Sequence, residues 1–235
     1  MKCILKYMPP LACCVWLVPL FLVNNNDGSD QNKVLKYLED MSRYYDKNIK
    51  DYQCVFVRQE KIKNKMMKEQ QSNVIFIEDP FSLLMHIFKN PSGARRILYV
   101  KGKFVDKNGR EMMWVEPSNS FLRLFASKVL IPIDDDQVLK SSNNTVQSFG
   151  IKNLLNRLIT GVKADDEIEI VRFNSTIIAY IMSTGRLVEI YIGEQIKLLC
   201  GVKIFEDSTR KNLTSKYFYN NLKINTGLTQ SDFEL

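Results

Sequence analysis

The side chains best able to do chemistry are one histidine and two acidic clusters. His86 lies inside the apolar run Leu84–Phe88, and the clusters are Asp134–Asp136 and Asp165–Glu167. Carboxylates grouped in this way are ligands that a hard cation such as Ca²⁺ prefers. Both clusters fall in predicted loops, where acidic side chains are usually solvated. A lone histidine in an apolar run is typical of a core or strand-face residue, so the sequence predicts no metal site.

Sequence signatures of catalysis are absent. The chain has no G-x-S-x-G nucleophile elbow, no Walker A motif and no dinucleotide-binding glycine pattern. A histidine-dependent triad could use only His86, and a zinc site would need several Cys, His or carboxylate ligands. We therefore predict that the protein is not an enzyme, with no catalytic residues and no cofactor. A hydrolase that uses carboxylates such as Asp134 or Asp166 is a minor alternative.

Two cysteines, Cys54 and Cys200, lie beyond the N-terminal segment, each within an apolar, strand-like run. In an oxidising compartment the pair could form one disulfide. Two separate buried thiols are the other interpretation, because cysteine also behaves as a small apolar core residue. The sequence leaves both alternatives open.

The charge pattern disfavours a nucleic-acid partner. The chain has 33 basic and 26 acidic residues, a formal net charge of +7. Charges of both signs are interspersed, and short basic clusters such as Lys61–Lys65 are more typical of a solvated turn than of a nucleic-acid or anionic-lipid patch. We predict no nucleic-acid partner.

Residues 1–26 have the pattern of an export signal. Lys2 and Lys6 precede an uncharged, largely apolar run that extends to Asn26, and a basic segment followed by an apolar core directs secretion. The apolar core is short for a membrane span. We predict a signal peptide or an uncleaved anchor, with a single domain at residues 27–235. The expected location is therefore outside the cytoplasm, either secreted or anchored.

The stretch Val74–Asp106 indicates an antiparallel meander. Its apolar runs are separated by breaks rich in Pro, Gly, Asn and Asp, a pattern typical of strands joined by tight turns. The runs are Val74–Ile77, Phe81–Phe88, Ile97–Val100 and the short Phe104–Val105. Such a meander needs other elements to cover its apolar face.

Helical periodicity predicts two covering helices. Gln31–Asn48 has one apolar face and could be capped by Asp30 or Asn32, and Ile151–Thr160 is amphipathic and followed by Gly161 as a C-cap. The last third predicts further strands: Glu167–Phe173, Thr176–Met182, Leu187–Ile192, Ile196–Phe205 and Lys216–Ile224. The predicted fold class is therefore α+β with one large antiparallel sheet.

Residues 107–149 show a looser pattern. Glu111–Val115 could be a strand, and Phe121–Leu130 has helical or mixed spacing. A segment this long without clear periodicity is often a functional lid or plug.

Two passages resemble known families. Asp79–Ser82, followed by His86–Pro91 and Ile97–Lys103, resembles the strand, Pro-aromatic turn and apolar strand of LolA/LolB-type periplasmic lipoprotein carriers. Asp51–Glu60 and Tyr217–Phe233 resemble an uncharacterised family of exported bacterial proteins, a domain of unknown function related to those carriers. The resemblance extends from about Asn32 to Phe233.

This resemblance implies a LolA-like, unclosed, half-barrel sheet with helices over an apolar mouth. It implies binding of a lipid, an acyl chain or another hydrophobic ligand, with a lipoprotein or a membrane surface as further candidate partners. Together with the export signal, it implies a location in the periplasm or at the outer face of the inner membrane. The candidate cavity residues are Phe56, Phe76, Phe81, Leu84, Ile87, Tyr99, Trp114, Tyr180 and Tyr217. Asp79 and Pro80 are the candidate lid or turn residues. Asp79 stands where a carrier has an arginine that helps to hold the lid shut, and an ionised aspartate cannot donate those hydrogen bonds.

The alternative function is a structural or protein-interaction module of the cell envelope with a filled core. The space between sheet and helices separates the two hypotheses. A cavity of a few hundred Å³ with aliphatic walls would favour a carrier, whereas a filled interior would favour the module.

Overall fold

Most of this protein consists of β-strands, along which successive side chains alternate between two faces. The computed structural model describes residues 29–119, 126–135 and 142–234. The strands are β1 Asp51–Ile62, β2 Lys65–Met66, β3 Gln70–Ile77, β4 Ser82–Lys89, β5 Ala94–Val100, β6 Met112–Pro117, β7 Val129–Pro132, β8 Ile168–Phe173, β9 Ile177–Met182, β10 Leu187–Ile192, β11 Leu199–Phe205 and β12 Leu213–Ile224. Adjacent side chains on a strand point to opposite faces, so each strand contributes one row to an inner face and one to an outer face.

All twelve strands belong to one antiparallel sheet. Its order is β7-β6-β5-β4-β3-β1-β12-β11-β10-β9-β8, with β2 paired to β1. The first and last strands of this order do not pair with each other among the described residues, so the sheet is unclosed. Together with the two helices that follow, this arrangement confirms the predicted fold class.

The first and last long strands pair at the centre of the sheet. Phe56 of β1 lies opposite Tyr219 of β12, and Arg58 lies opposite Tyr217. On its other side, β1 pairs with β3, which places Arg58 beside Gln70. The two ends of the chain thus assemble the middle of the inner face.

Helix α1, Asp30–Asn48, packs its apolar stripe onto the inner face. Its buried residues are Val34, Leu38, Met41 and Tyr45, which recur at helical spacing. The N-cap is Ser29, whose side chain accepts a hydrogen bond from the Asn32 amide, so the prediction of Asp30 or Asn32 as cap was wrong.

Helix α2, Ile151–Ala164, lies beside α1. It buries Ile151, Leu154, Leu155, Leu158 and Val162. Ion pairs join the helices, with Lys163 2.8 Å from Glu39 and Lys152 2.6 Å from Asp46. The predicted end at Gly161 was wrong, because the fully buried Val162 continues the apolar stripe by another turn.

The C-terminal segment covers the outer face of β3–β5. Phe233 is fully buried against Ile77, Leu98 and Val100. The Asp51 carboxylate fixes this segment by accepting hydrogen bonds from the Thr226 amide at 2.6 Å and its hydroxyl at 2.9 Å. The sheet is therefore buried on both faces along this part.

Several predicted element bounds differ from the structure. Phe104–Val105 forms no strand, only an isolated bridge from Val105 to Glu111. Val129–Pro132 is a strand within a region where helical or mixed structure was predicted, because it pairs with β6 along the sheet edge. Residues 120–125 and 136–141 lie outside the described residues, as does the predicted leader at 1–26.

Neither cysteine forms a disulfide. Cys54 and Cys200 are free thiols, and β12 lies between their strands β1 and β11. Two strand spacings of about 4.8 Å exceed the Cα separation that a disulfide spans. The two cysteines are therefore separate thiols, as in the second interpretation. Burial raises the pKa of both.

None of the described helices combines the length and the apolar character needed to cross a membrane.

Candidate functional site

A cavity of about 520 Å³ lies against the inner face of the sheet. Its floor comes from β1, β3–β7 and β12, and its cover comes from residues 142–150 and the α2 side chain Arg157. The apolar floor and the polar floor occupy different strands, which gives the cavity two chemically distinct halves.

The apolar half lies over β4–β7. In β5 a register shift between Ala94 and Arg96 breaks the alternation of faces. The apolar half is supplied by inward-facing residues, which otherwise alternate along their strands as expected for one face of a pleated sheet. They are Leu83, Met85 and Ile87 of β4, Ala94 and Ile97 of β5, Met113, Val115 and Pro117 of β6, and Val129 and Ile131 of β7. Phe149 of the cover adds an aromatic ring. This half offers aliphatic surface suited to a chain of methylene groups.

The polar half lies where β1, β3 and β12 meet. Arg58 and Glu60 occupy successive inner positions of β1, with Gln70 of β3 and Tyr217 of β12 on either side of Arg58. The Arg58 guanidinium donates a hydrogen bond of 2.5 Å to the Gln70 amide oxygen, and it lies 4.0 Å from the Glu60 carboxylate.

Glu60 fastens the cover to the sheet. Its side chain is only 2% exposed, and its carboxylate accepts hydrogen bonds from the Asn143 amide at 3.2 Å, the Asn144 side chain at 2.9 Å and the Tyr217 hydroxyl at 2.5 Å. Burial, with the nearby Glu60 carboxylate, raises the pKa of Tyr217, so its hydroxyl stays a neutral donor. Residues 142–144 are thereby held across the end of the cavity.

Arg157 enters the polar half from α2. Its guanidinium donates a hydrogen bond to the Asn144 amide oxygen and lies 5.9 Å from the centre of the Tyr217 ring, within the range of a cation–π contact. Since Tyr217 is the neighbour of Arg58 across the sheet, both guanidinium groups lie at the same end of the cavity.

The turn before β4 contacts α1 through Glu78, whereas Asp79 and Pro80, the predicted lid or turn residues, are exposed. The Tyr45 hydroxyl of α1 donates a hydrogen bond to the Glu78 carboxylate. Burial raises the pKa of Glu78, against opposing effects of the Tyr45 bond and the Lys152 charge. Glu78, which joins this turn to α1, is therefore the residue that precedes the predicted pair Asp79 and Pro80.

Three of the nine predicted cavity residues, Phe56, Ile87 and Tyr217, line the cavity. Leu84 and Trp114 lie on the opposite face, where they pack against the cluster around Phe233. Placing Leu84 and Ile87 on one wall was wrong, because the two residues are three positions apart and an odd step along a regular strand leads to the opposite face.

The other four predicted residues belong to the core around the cavity rather than to its lining. Phe76 and Phe81 meet edge to face at 4.9 Å between ring centres, and Phe81 lies 5.6 Å from Tyr99. Tyr180 is buried on β9, in the half of the sheet beyond β12. These aromatic residues therefore fill the core of the fold and leave the lining to other side chains.

Sequence reasoning missed the charged residues of the site and part of its apolar wall. The alternation of faces along a strand predicts that Met85 faces inward with Ile87. It likewise predicts that Met113 and Val115 face inward, because Trp114 between them faces outward. Arg58 and Glu60 share the inner row of β1 with Phe56, a pattern visible in the sequence. Nothing in the sequence points to Arg157, because its position depends on how α2 crosses the sheet.

The residues first considered for chemistry lie elsewhere. His86 is on the outer face of β4, opposite Asn73 and Arg96. Asp134 and Asp166 do not belong to the described cavity lining, and Asp136 lies outside the described residues. Within the described ranges, no group of three or more His, Cys, Asp or Glu residues could hold a metal ion.

A solved structure shares this fold at low sequence identity. The crystal structure of MucB is 10% identical, with a TM-score of 0.51, and the match covers 88% of this chain and 64% of MucB. This chain thus spans less than two thirds of MucB, and the likeness is one of fold alone.

Two further matches have lower TM-scores. A LolA superfamily protein from Nitrosomonas europaea is 12% identical, with a TM-score of 0.37, and the match covers 85% of this chain and 96% of that protein. A putative outer membrane lipoprotein-sorting protein domain from Vibrio parahaemolyticus is also 12% identical, with coverages of 87% and 97% and a TM-score of 0.38. No curated protein matches the chain.

The sequence profile of one family matches residues 49–186, more than half of the chain. That family is described as protein of unknown function (DUF1571), which confirms the prediction of an uncharacterised family. The chain belongs to the DUF1571 family.

Proposed function

We propose that this chain is a non-catalytic protein of the cell envelope that binds a lipid, an acyl chain or another hydrophobic ligand in the inner cavity. One observation carries the proposal: a space of about 520 Å³ with aliphatic walls on β4–β7. Sites for small molecules typically measure about 300–1,000 Å³ and have mainly apolar walls. A structural module with a filled core would have its own side chains in this space.

Burial of the ligand would supply the affinity. Removing apolar surface from water stabilises a complex by about 25 cal/mol per Å², or about 0.8 kcal/mol for each methylene group. The side chains of Met85 and Met113 face the space, and the flexible methionine side chain adapts to irregular apolar partners. The cavity therefore suits a class of alkyl chains better than one rigid molecule.

The polar groups of the lining support binding rather than reaction. Among the described lining residues, Glu60 is the carboxylate, and three donors hold it in place. A general base needs to reach the proton that it removes, whereas this carboxylate is directed into the contact between sheet and cover.

The envelope location and a role in lipid or lipoprotein trafficking rest on the sequence. The basic and apolar pattern of residues 1–26 supports export, and the resemblance to LolA/LolB-type carriers implies a ligand with acyl chains. A membrane surface or a lipoprotein would then be the source of the ligand.

A fluorescence titration with the uncharged probe N-phenyl-1-naphthylamine tests the proposal. Ala94→Trp would fill the apolar half, and Ser208→Trp adds the same side chain at an exposed turn. We expect saturable binding to the wild-type protein and to Ser208→Trp, and at least about tenfold weaker binding to Ala94→Trp. Absence of probe binding to the wild type, or equal binding to both variants, would contradict the proposal.

A further inference from the structure

We propose that the ligand of the inner cavity is an amphiphile with an anionic head group, which Arg157 and Arg58 hold at the polar half. This inference rests on the proposed function and adds the chemical class of the ligand. The shared chemistry is an alkyl chain that ends in a carboxylate or a phosphate.

The division of the cavity into two halves is the first observation. The aliphatic rows of β4–β7 occupy one side, and Arg58, Glu60 and Gln70 line the other. A purely apolar ligand would leave the polar half without a matching group. An amphiphile satisfies both halves in one orientation, with its chain over β4–β7 and its head over β1 and β12.

The sign of the charge is the second observation. The charged side chains of the described lining are Arg58, Arg157 and Glu60, which gives a formal charge of +1. Glu60 lies 4.0 Å from Arg58, and the hydrogen-bond partner of Arg157 is the neutral amide of Asn144. A ligand with one negative charge would balance the lining.

The geometry of Arg157 is the third observation. Its contact with Asn144 uses one terminal nitrogen of a group that has five N–H donors. The side chain is exposed, and the Tyr217 ring lies beneath its guanidinium. A guanidinium fixed in this way is suited to bidentate recognition of a carboxylate or a phosphate.

The polar cluster could instead serve only to fasten residues 142–144 to the sheet. In that case, removing the charge of Arg157 would change stability without changing the preference among head groups. The two roles are separated by comparing ligands that share one chain and differ in the head group.

The experiment is displacement of N-phenyl-1-naphthylamine by dodecanoate, dodecyl phosphate and dodecanol, with the two anions below their critical micelle concentrations and the alcohol below its solubility limit. We expect at least one of the two anions to displace the probe from the wild-type protein at about tenfold lower concentration than dodecanol, as for a hydrogen bond to a charged group. The stronger anion distinguishes a carboxylate from a phosphate. In Arg157→Gln the ratio should fall close to one.

Arg186→Gln is the matched control, because it removes the same charge at an exposed turn outside the described lining and should keep the ratio. Thermal melting checks the fold, and Arg157→Met replaces the glutamine variant if that variant melts early. Equal displacement by all three ligands, with the probe bound, would overturn this inference and leave the proposed function intact. Failure of the probe to bind would overturn both.

Discussion

The Tyr217 hydroxyl donates a hydrogen bond of 2.5 Å to the buried carboxylate of Glu60, which lies 157 positions earlier in the chain. The same carboxylate accepts hydrogen bonds from Asn143 and Asn144 of the cover. One buried acidic group thus joins β1, β12 and the segment that closes the end of the cavity. Because a buried carboxylate is costly unless it accepts hydrogen bonds, each of the three donors should contribute to the stability of the fold.

Removing the Tyr217 hydroxyl should destabilise the fold. Tyr217→Phe leaves the ring in place and deprives the Glu60 carboxylate of one donor, which should lower the free energy of unfolding by about 1.5–3 kcal/mol. Urea denaturation measures the change. Tyr44→Phe, at a side chain that is 46% exposed, is the control and should stay within about 0.5 kcal/mol of the wild type. Equal effects of the two substitutions would show that Glu60 does not depend on Tyr217.

Glu78 should make the stability depend on pH in an unusual direction. Burial raises its pKa in the folded protein, so above the unfolded value of about 4.3 the folded state binds more protons than the unfolded state. The contribution of Glu78 to stability is therefore complete below that value and is lost as the pH rises through the folded pKa.

Glu78→Gln tests this direction, because the amide oxygen can still accept the Tyr45 hydrogen bond. The variant should gain stability relative to the wild type as the pH rises from about 4 to 7. Glu69→Gln should show the opposite trend, since its hydrogen bond with Lys216 lowers the pKa of Glu69 to about 2, and the wild-type advantage there should disappear only in acid. Parallel stability curves for wild type and Glu78→Gln would contradict the assignment.

Two glycines near the cover should respond to alanine in opposite directions. Gly150, the N-cap of α2, has a φ of +111°, and a Cβ there would lie 3.4 Å from the Phe76 ring. Gly150→Ala should cost about 1–3 kcal/mol of unfolding free energy.

Gly161 is the matched position. It lies inside α2, and an added Cβ would meet no atom within 4 Å. Gly161→Ala should stabilise the protein by about 0.4–1 kcal/mol, because alanine restricts the unfolded chain and favours the helix. Thermal and urea unfolding of both variants measure the pair. A stable Gly150→Ala protein would show that the start of α2 can adopt another backbone conformation.

Affinity for the cavity should increase with the length of an alkyl chain. Each buried methylene group contributes about 0.8 kcal/mol, so two more should strengthen binding about tenfold until the apolar half is full. Displacement of the fluorescent probe by octanol, decanol and dodecanol measures the series. Equal displacement by the three alcohols would place the probe outside the apolar half.

The fold class and much of the sheet could be predicted from the sequence, because side chains alternate between the two faces of a strand. The alternation along β1 places Phe56, Arg58 and Glu60 on one face. The alternation along β4 likewise places Met85 on the inner face once Ile87 is assigned there. The errors came from choosing large apolar residues by type rather than by their position along the strand. Leu84 and Trp114 are large and apolar, but they occupy the outer rows that the C-terminal segment covers.

The polar half could not be predicted in the same way. Asn144 lies in a segment without periodicity, and its position depends on the hydrogen bonds with Glu60 and Tyr217. Arg157 is one of several basic residues on an amphipathic helix, and only the packing of that helix brings it over the Tyr217 ring. Long-range contacts of this kind leave no local pattern in the sequence.

Methyl NMR of the methionines tests the central claim most directly. Met85 and Met113 face the cavity, whereas Met112 is the neighbour of Met113 on the opposite face of β6. On titration with dodecanol, the account predicts shifts of the Met85 and Met113 methyl resonances that saturate together, with little change at Met112. Shifts at Met112 alone, or no saturable shift at Met85 and Met113, would contradict a ligand site between the sheet and its cover.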